Sequence, residues 1–169
     1  SRLFADCDVV LGNLECAFVI EGKFVPAEPR VIADPNYVRA VKEAGFHLVT
    51  LANNHMFDGY EEGFQQMREL LDDINLPHFG AGMNLGEATA PMIMESNGLR
   101  IAFIGGVDDR SGPFQFASEE DWGVSPLDLK MLIAQIQQLR STVDHVVVSV
   151  HWGEERFLVP SPAQVEQAH

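Results

Sequence analysis

Three short apolar segments of the sequence each end in side chains of the kind that bind divalent metal ions. The segments are residues 8–11 (DVVL), 46–52 (FHLVTLA) and 144–150 (DHVVVSV). The polar residues that follow are Asn13 and Glu15, then Asn53, Asn54, His55 and Asp58, and then His151 and Glu154. Imidazole, carboxylate and amide oxygen together suit Mn²⁺, Fe²⁺ or Zn²⁺, and a pair of such ions could activate water and stabilise a leaving oxygen.

The three apolar segments have the length and composition of buried β-strands. In open α/β sheets, ligands bind beyond the carboxyl ends of parallel strands. If the three strands are parallel, their polar endings therefore lie on one rim and form one site. The alternative, in which these residues only cap helices and form turns, stays open from the spacing alone.

Helix signals separate the predicted strands. Asp34-Pro35 offers an N-cap and a proline at the first helical position, and Gly45 ends that helix. Residues 59–74 carry apolar side chains at helical spacing. Residues 125–128 (SPLD) resemble a capping box before an apolar stripe that reaches Leu139, and residues 161–164 open a last helix.

The remaining segments predict a hairpin and several connections. Residues 92–95 and 99–105 flank Asn97-Gly98, which is a strong hairpin signal. Residues 78–82 predict a short extended piece, and residues 20–31 an irregular connection. Residues 107–123 form a long loop at a strand end, and such loops commonly serve a site or are disordered. The order of elements predicts one α/β domain with a largely parallel sheet.

Composition narrows the classes of partner. The 169-residue chain has 25 acidic and 11 basic residues and a net charge of −14, which disfavours binding to nucleic acid or anionic lipid. An anionic substrate would need metal ions or a local basic pocket. Cys7 and Cys16 lack zinc-type spacing and are expected to be small packed residues, although a disulfide between them stays open. The sequence has no apolar stretch of the roughly 20 residues that cross a membrane.

Four motifs carry a family resemblance. GNLE at 12–15, LANNHMFDGY at 51–60, FGAGMNLGEATAP at 79–91 with NGLRIAFIG at 97–105, and SVHWGEE at 149–155 follow one another along the chain. In type and order they resemble the motifs of the CapA family of bacterial capsule and poly-γ-glutamate synthesis proteins. The resemblance implies a single CapA-like domain over residues 1–169, truncated at both ends. It also implies a calcineurin-like metallophosphoesterase fold, a β-sandwich flanked by helices around a two-metal site, incomplete in this chain.

The resemblance also implies roles for individual residues. Glu15, Asn54 and His151 match metal ligands of the family, with Glu15 as the bridging carboxylate, and His55 matches its general-acid or phosphate-stabilising histidine. Asp58 is expected to orient His55 through a hydrogen bond. Asn13, Asn53 and Glu154 are further candidates for the site. Helix capping by Asp58 and a solvated charge at Glu154 are the alternatives.

A divalent-metal-dependent hydrolase is the function that the resemblance implies, with two ions of Mn, Fe or Zn in the full-length protein. Its substrate would be an anionic polymer or a phosphoester, its partner membrane-associated capsule machinery, and its location the bacterial cell envelope or the cytoplasm. The family's Gly-Asp and Gly-His-His-Pro-His motifs do not occur in these residues. The isolated chain is therefore expected to bind metal poorly and to be inactive. The alternative function is a non-catalytic component for assembly or export of an anionic polymer.

Other histidines and motifs predict no chemistry. His47, His78 and His145 lie at strand starts or in connections and are expected to be surface or hydrogen-bonded core residues. The Trp152 side chain is expected either to line the candidate site or to pack beneath a loop. No Gly-x-Ser-x-Gly elbow and no phosphate-binding loop occur, and neither cysteine neighbours a plausible base, which disfavours serine and cysteine hydrolase chemistry.

Overall fold

The computed structural model describes residues 4–19, 22–26, 29–154 and 156–169, which form an α/β arrangement. The strands are β1 (Leu11–Asn13), β2 (Ala17–Phe18), β3 (Ile32–Ala33), β4 (Leu48–Thr50), β5 (His78–Phe79), β6 (Ala81–Gly82), β7 (Met92–Ser96), β8 (Leu99–Val107), β9 (Gly123–Val124) and β10 (His145–His151). The α-helices are α1 (Val38–Glu43), α2 (Tyr60–Asp73), α3 (Leu85–Ala88), α4 (Leu129–Leu139) and α5 (Pro162–Ala168). The α/β class predicted from the sequence is confirmed.

The first sheet contains two of the three strands that end in site residues. Its order is β1-β4-β5, and both pairings are parallel. Asn13 pairs with Thr50, so β1 and β4 end at the same level. The strand predicted at residues 8–11 begins later, at Leu11, and the Nδ1 of His47 accepts from the Val10 N–H at 3.0 Å just before it.

The second sheet contains the third strand. Its order is β10-β8-β7, with β10 parallel to β8 and β8 antiparallel to β7. The predicted hairpin is confirmed, and its turn places Asn97 at φ 51° and Gly98 at φ 79°, as a two-residue hairpin turn requires. His151 is the last residue of β10 and pairs with Val107.

The prediction that the three site-bearing strands share one sheet is wrong, because β10 lies in a different sheet from β1 and β4. The two sheets nevertheless adjoin. An ideal Cβ on Gly105 of β8 would lie 3.0 Å from Ala52 Cβ and 3.3 Å from Thr50 Oγ1. Glycine permits this approach, since a side chain there would separate the sheets. Phe79 and Phe103 fill the adjoining core, with ring centroids 6.2 Å apart.

Helices cover both sheets. Helix α2 buries Phe64, Met67 and Leu71 in the main core, as its spacing predicts. Helix α4 packs its apolar stripe against Ala102 and Ile104 of β8. Asp34 accepts from the Asn36 N–H at 2.9 Å and caps a 3₁₀ turn, Pro35–Tyr37, that leads into α1. Ser161 and Gln164 form the capping box of α5.

The capping box predicted at residues 125–128 is wrong. Ser125 is buried, its N–H donates to Gly80 O, and its carbonyl accepts from Val107 N–H, so its backbone belongs to the strand layer. The N-cap of α4 is Asp128, which accepts from the Lys130 and Met131 N–H groups at 2.8 and 3.0 Å.

Small elements occupy the segments that carried no periodicity. Parallel strands β2 and β3 flank the connection predicted as irregular, of which residues 20, 21, 27 and 28 lie outside the described part of the chain. The loop predicted from residue 107 begins with a 3₁₀ turn, Asp109–Ser111, and ends in β9, which pairs with β6. In the described residues, no helix has the length and apolarity needed to cross a membrane.

Candidate functional site

The ends of β1 and β4 are joined by a buried asparagine. Asn53 is fully buried and donates to Asn13 Oδ1 at 3.1 Å and to Leu14 O at 2.9 Å. Its own side-chain oxygen accepts from the His55 N–H at 3.1 Å. Both polar groups of the Asn53 amide are therefore used within the protein, and the residue fixes the loops that carry Glu15, Asn54 and His55.

Glu15, Asn54 and His151 come together from three separate parts of the chain. His151 Nε2 lies 3.0 Å from Asn54 Oδ1 and 3.9 Å from Glu15 Oε1. Asn13 Nδ2 donates to the other oxygen of Glu15 at 2.9 Å. The side chains of His151 and Glu15 are 25% and 41% exposed, so the cluster opens to solvent. The three predicted metal ligands thus lie in one place.

His55 and Asp58 form a second, more buried pair in the turn before α2. Asp58 Oδ2 lies 2.9 Å from His55 Nδ1 and accepts from the Val31 N–H at 2.7 Å. The predicted hydrogen bond between the two residues is present. The capping alternative for Asp58 does not hold, because the N-cap of α2 is Gly59 and has no side-chain hydrogen bond. The carboxylate fixes the ring of His55 and favours a proton on Nδ1, which leaves Nε2 as the nitrogen for other chemistry.

Glu154 stands apart from this cluster. It is exposed and lines a cavity of about 560 Å³ together with Arg110, Trp152 and Gly153. Trp152 is half-buried and forms part of the wall of this cavity, which none of Glu15, Asn54 and His151 lines.

A turn at the end of β8 adds residues that the sequence did not single out. The Asp108 carboxylate accepts three hydrogen bonds from Arg110. The donors are the Arg110 backbone N–H, Nε and Nη2, at 2.8, 3.0 and 3.0 Å. This guanidinium holds the pKa of the Asp108 carboxyl below its usual range. The Asp108 N–H donates to His151 O at 2.9 Å. The position of this loop at a strand end was the available signal, but the sequence does not show which loop residues turn back to β10.

The donor atoms suit one divalent ion. Ligand atoms about 2.1 Å from a metal lie roughly 3 to 4 Å from one another, which matches the distances of 3.0 and 3.9 Å from His151 Nε2 to the oxygens of Asn54 and Glu15. An imidazole, a carboxylate and an amide oxygen form a borderline-hard set suited to Mn²⁺, Fe²⁺ or Zn²⁺. In the part of the chain that the structure describes, no three residues among His, Cys, Asp and Glu cluster as a metal site would require.

The other histidines and the cysteines have ordinary surroundings. His47 accepts from the Val10 N–H, His78 lies within hydrogen-bond distance of Leu76 O, and His145 is exposed at the start of β10. Cys7 is exposed, Cys16 is half-buried, and both are free thiols. Burial raises the pKa of the Cys16 thiol.

Fold and site together define an α/β protein whose strand ends gather imidazole, carboxylate and amide groups at one solvent-facing cluster. The chain belongs to the family of bacterial capsule synthesis proteins called PGA_cap, whose model matches residues 1–169. The resemblance inferred from the four motifs is confirmed.

Curated relatives agree with this assignment. The chain is 33% identical over 172 residues to the capsule biosynthesis protein CapA of Bacillus anthracis, covering 97% of this chain and 42% of that protein. It is 31% identical to the PGA biosynthesis protein CapA of Bacillus subtilis, covering 98% of this chain and 44% of that protein. A probable polyglutamine synthesis accessory protein of Mycobacterium tuberculosis is 27% identical, and the match covers 96% of this chain and 46% of that protein. The chain spans less than half the length of these relatives.

Proposed function

We propose that this chain is part of a capsule or poly-γ-glutamate biosynthesis protein and forms half of a divalent-metal-dependent hydrolase site of the metallophosphoesterase type. The observation that carries the proposal is that Asn54 Oδ1 and Glu15 Oε1 lie 3.0 and 3.9 Å from His151 Nε2. The family assignment and the names of the relatives support the role in capsule synthesis. We further propose that the full-length fold is a calcineurin-like sandwich and that the full-length protein holds two ions.

Glu15, Asn54 and His151 would hold one ion of Mn, Fe or Zn. Such an ion supplies Lewis-acid activation of water and of the scissile centre. The protein's own part is to fix the ligand atoms, which the hydrogen bonds of Asn53 and Asn13 accomplish. His55, oriented by Asp58 at its Nδ1, would act through Nε2 as the general acid toward the leaving oxygen or nitrogen of a phosphoester or amide in an anionic polymer.

The proposal is tested by metal binding to the full-length protein, with calorimetry and elemental analysis for Mn²⁺, Fe²⁺ and Zn²⁺. His151→Ala is expected to weaken binding at least about tenfold, because one of the described ligands is lost. His145→Ala is the matched control, since His145 is exposed at the opposite end of the same strand. Absence of bound metal in the wild type, or equal binding by the wild type and His151→Ala, contradicts the proposal.

A second function is favoured by the small number of charged ligands in the described site. In that case the protein is a non-catalytic component that assembles or exports an anionic polymer in contact with membrane-associated capsule machinery. His55→Ala would then leave polymer production intact, whereas the hydrolase proposal requires production or processing to fall. Polymer yield in cells that carry each variant separates the two functions.

A further inference from the structure

The turn at residues 108–112 is attached directly to the end of β10. The Asp108 N–H donates to His151 O at 2.9 Å, and Ser111 Oγ donates to the same oxygen at 3.3 Å. Gly112 closes the turn in the left-handed region at φ 69°. Because these bonds end on the backbone of His151, the turn and the candidate ligand hold a fixed position relative to each other.

Arg110 is oriented within this turn by a two-point ion pair. Its Nε and Nη2 atoms each donate to a different oxygen of Asp108 at 3.0 Å. A guanidinium has five N–H donors, so the pair leaves the Nη1 donors and one Nη2 donor for other acceptors. The Arg110 side chain is 38% exposed. A planar cation is therefore held in one orientation with unused donors at the surface.

The same arginine lines a cavity just beyond the end of β10. This cavity, of about 560 Å³, is also lined by Trp152, Gly153 and Glu154, the residues that directly follow the candidate ligand. Among its lining residues in the described part of the chain, Arg110 is the basic one. The cavity thus combines the residues that directly follow His151 with a guanidinium held by Asp108, in a protein whose net charge is −14.

We propose that Arg110 is a ligand-contacting specificity residue, which binds an oxyanion of the substrate while the reacting bond lies beside His151. The ligand class is a carboxylate-bearing or phosphate-bearing molecule, because both groups match the guanidinium fork. This inference rests on the proposed function, since it places the substrate at the same site. Asp108 and Glu154 offset the charge of Arg110, so recognition depends on aligned donors rather than on a positive field.

The test measures binding of three probes to the full-length protein by calorimetry, with and without Mn²⁺. The probes are a γ-linked oligoglutamate, the same oligomer with its carboxylates amidated, and inorganic phosphate. Arg110→Gln is expected to weaken binding of the preferred anion about tenfold or more and to leave the amidated oligomer unaffected. Arg110→Lys is expected to recover little, because lysine lacks the fork that pairs with Asp108.

Arg140→Gln is the matched control, because Arg140 is exposed at the C-cap of α4 and its loss changes the net charge equally. The inference is overturned if Arg110→Gln binds the anions as the wild type does, if Arg140→Gln weakens binding equally, or if the wild type binds neither anion. Stronger binding of the oligoglutamate than of phosphate identifies the carboxylate source, and the reverse identifies the phosphate source. Failure of the proposed metal site is seen separately, in the metal titration of the His151 variant.

Discussion

Individual side chains of the candidate site divide into buried ones that hold its loops together and partly exposed ones that face solvent. Asn53 and Asp58 are buried, and their polar atoms are engaged by the loops around them. Glu15 and His151 are partly exposed and meet at 3.9 Å. The buried residues lower the entropy cost of placing the exposed ones, because the loops that carry them are already ordered.

Replacing Asp58 with alanine removes the acceptor shared by the His55 ring and the Val31 N–H. Since both donors lie in partly buried surroundings, we expect the free energy of unfolding to fall by about 1–3 kcal/mol. Urea titration of the wild type and the variant measures this difference. Asp72→Ala, at an exposed site in α2, should change the free energy by less than about 0.5 kcal/mol. Equal losses in the two variants would contradict the buried role of Asp58.

The ion pair between Asp108 and Arg110 makes stability depend on pH in one direction. Because the folded-state pKa of Asp108 lies below its unfolded value, its contribution is fully present above about pH 4 and is lost as the pH falls through the folded-state pKa. Asp108→Asn should therefore be less stable than the wild type at neutral pH, and this difference in stability should narrow in acid. Thermal unfolding of both proteins from neutral pH down to about pH 2 measures the difference. A gap that widens in acid would refute the assignment.

At the scale of elements, the site depends on the contact between two small sheets. Gly105 of β8 lets this strand approach the end of β4 closely enough to bring His151 beside Asn54. The polar residues after β1 and β4 are joined by parallel pairing, whereas β10 reaches them only through the neighbouring sheet.

Gly105→Ala should separate the two sheets, because the new Cβ would lie 3.0 Å from Ala52 Cβ. We expect a loss of about 1–3 kcal/mol in the free energy of unfolding, together with weaker metal binding, since His151 moves relative to Asn54. Denaturant unfolding and metal titration of the same variant provide the two measurements. Gly22→Ala is the control, as its Cβ would meet only a Val19 methyl at an ordinary 3.9 Å. Unchanged metal binding in the Gly105 variant would show that the sheet contact does not set the site.

At the scale of the whole molecule, the surface charge opposes compactness. A net charge of −14 on 169 residues favours self-repulsion in the folded state. An anionic ligand would therefore need a local guanidinium or a metal ion at the place where it binds.

Added salt should therefore stabilise the protein. We expect an increase in ionic strength from about 0.01 M to about 0.15 M, which shortens the Debye length from roughly 30 to 8 Å, to raise the melting temperature. Scanning calorimetry at neutral pH in chloride salts gives the measurement. A variant with Glu119→Lys and Glu120→Lys, two exposed positions, should respond less to salt. An equal or larger response in that variant would show that the effect is not due to net charge.

The sequence by itself determined the class of fold, the family, helices α2 and α5, the hairpin turn at Asn97-Gly98 and the residue types at the strand ends. The family follows from the resemblance of the four motifs, and the other features follow from local periodicity, capping and turn chemistry, which neighbouring residues dictate. Tertiary structure alone decided that β10 lies in a second sheet and that Asp128 rather than Ser125 caps α4. It also decided that Asp108 and Ser111 donate hydrogen bonds to the backbone oxygen of His151. Strand pairing and loop contacts of this kind join residues that are distant in sequence, so the local sequence pattern does not predict them.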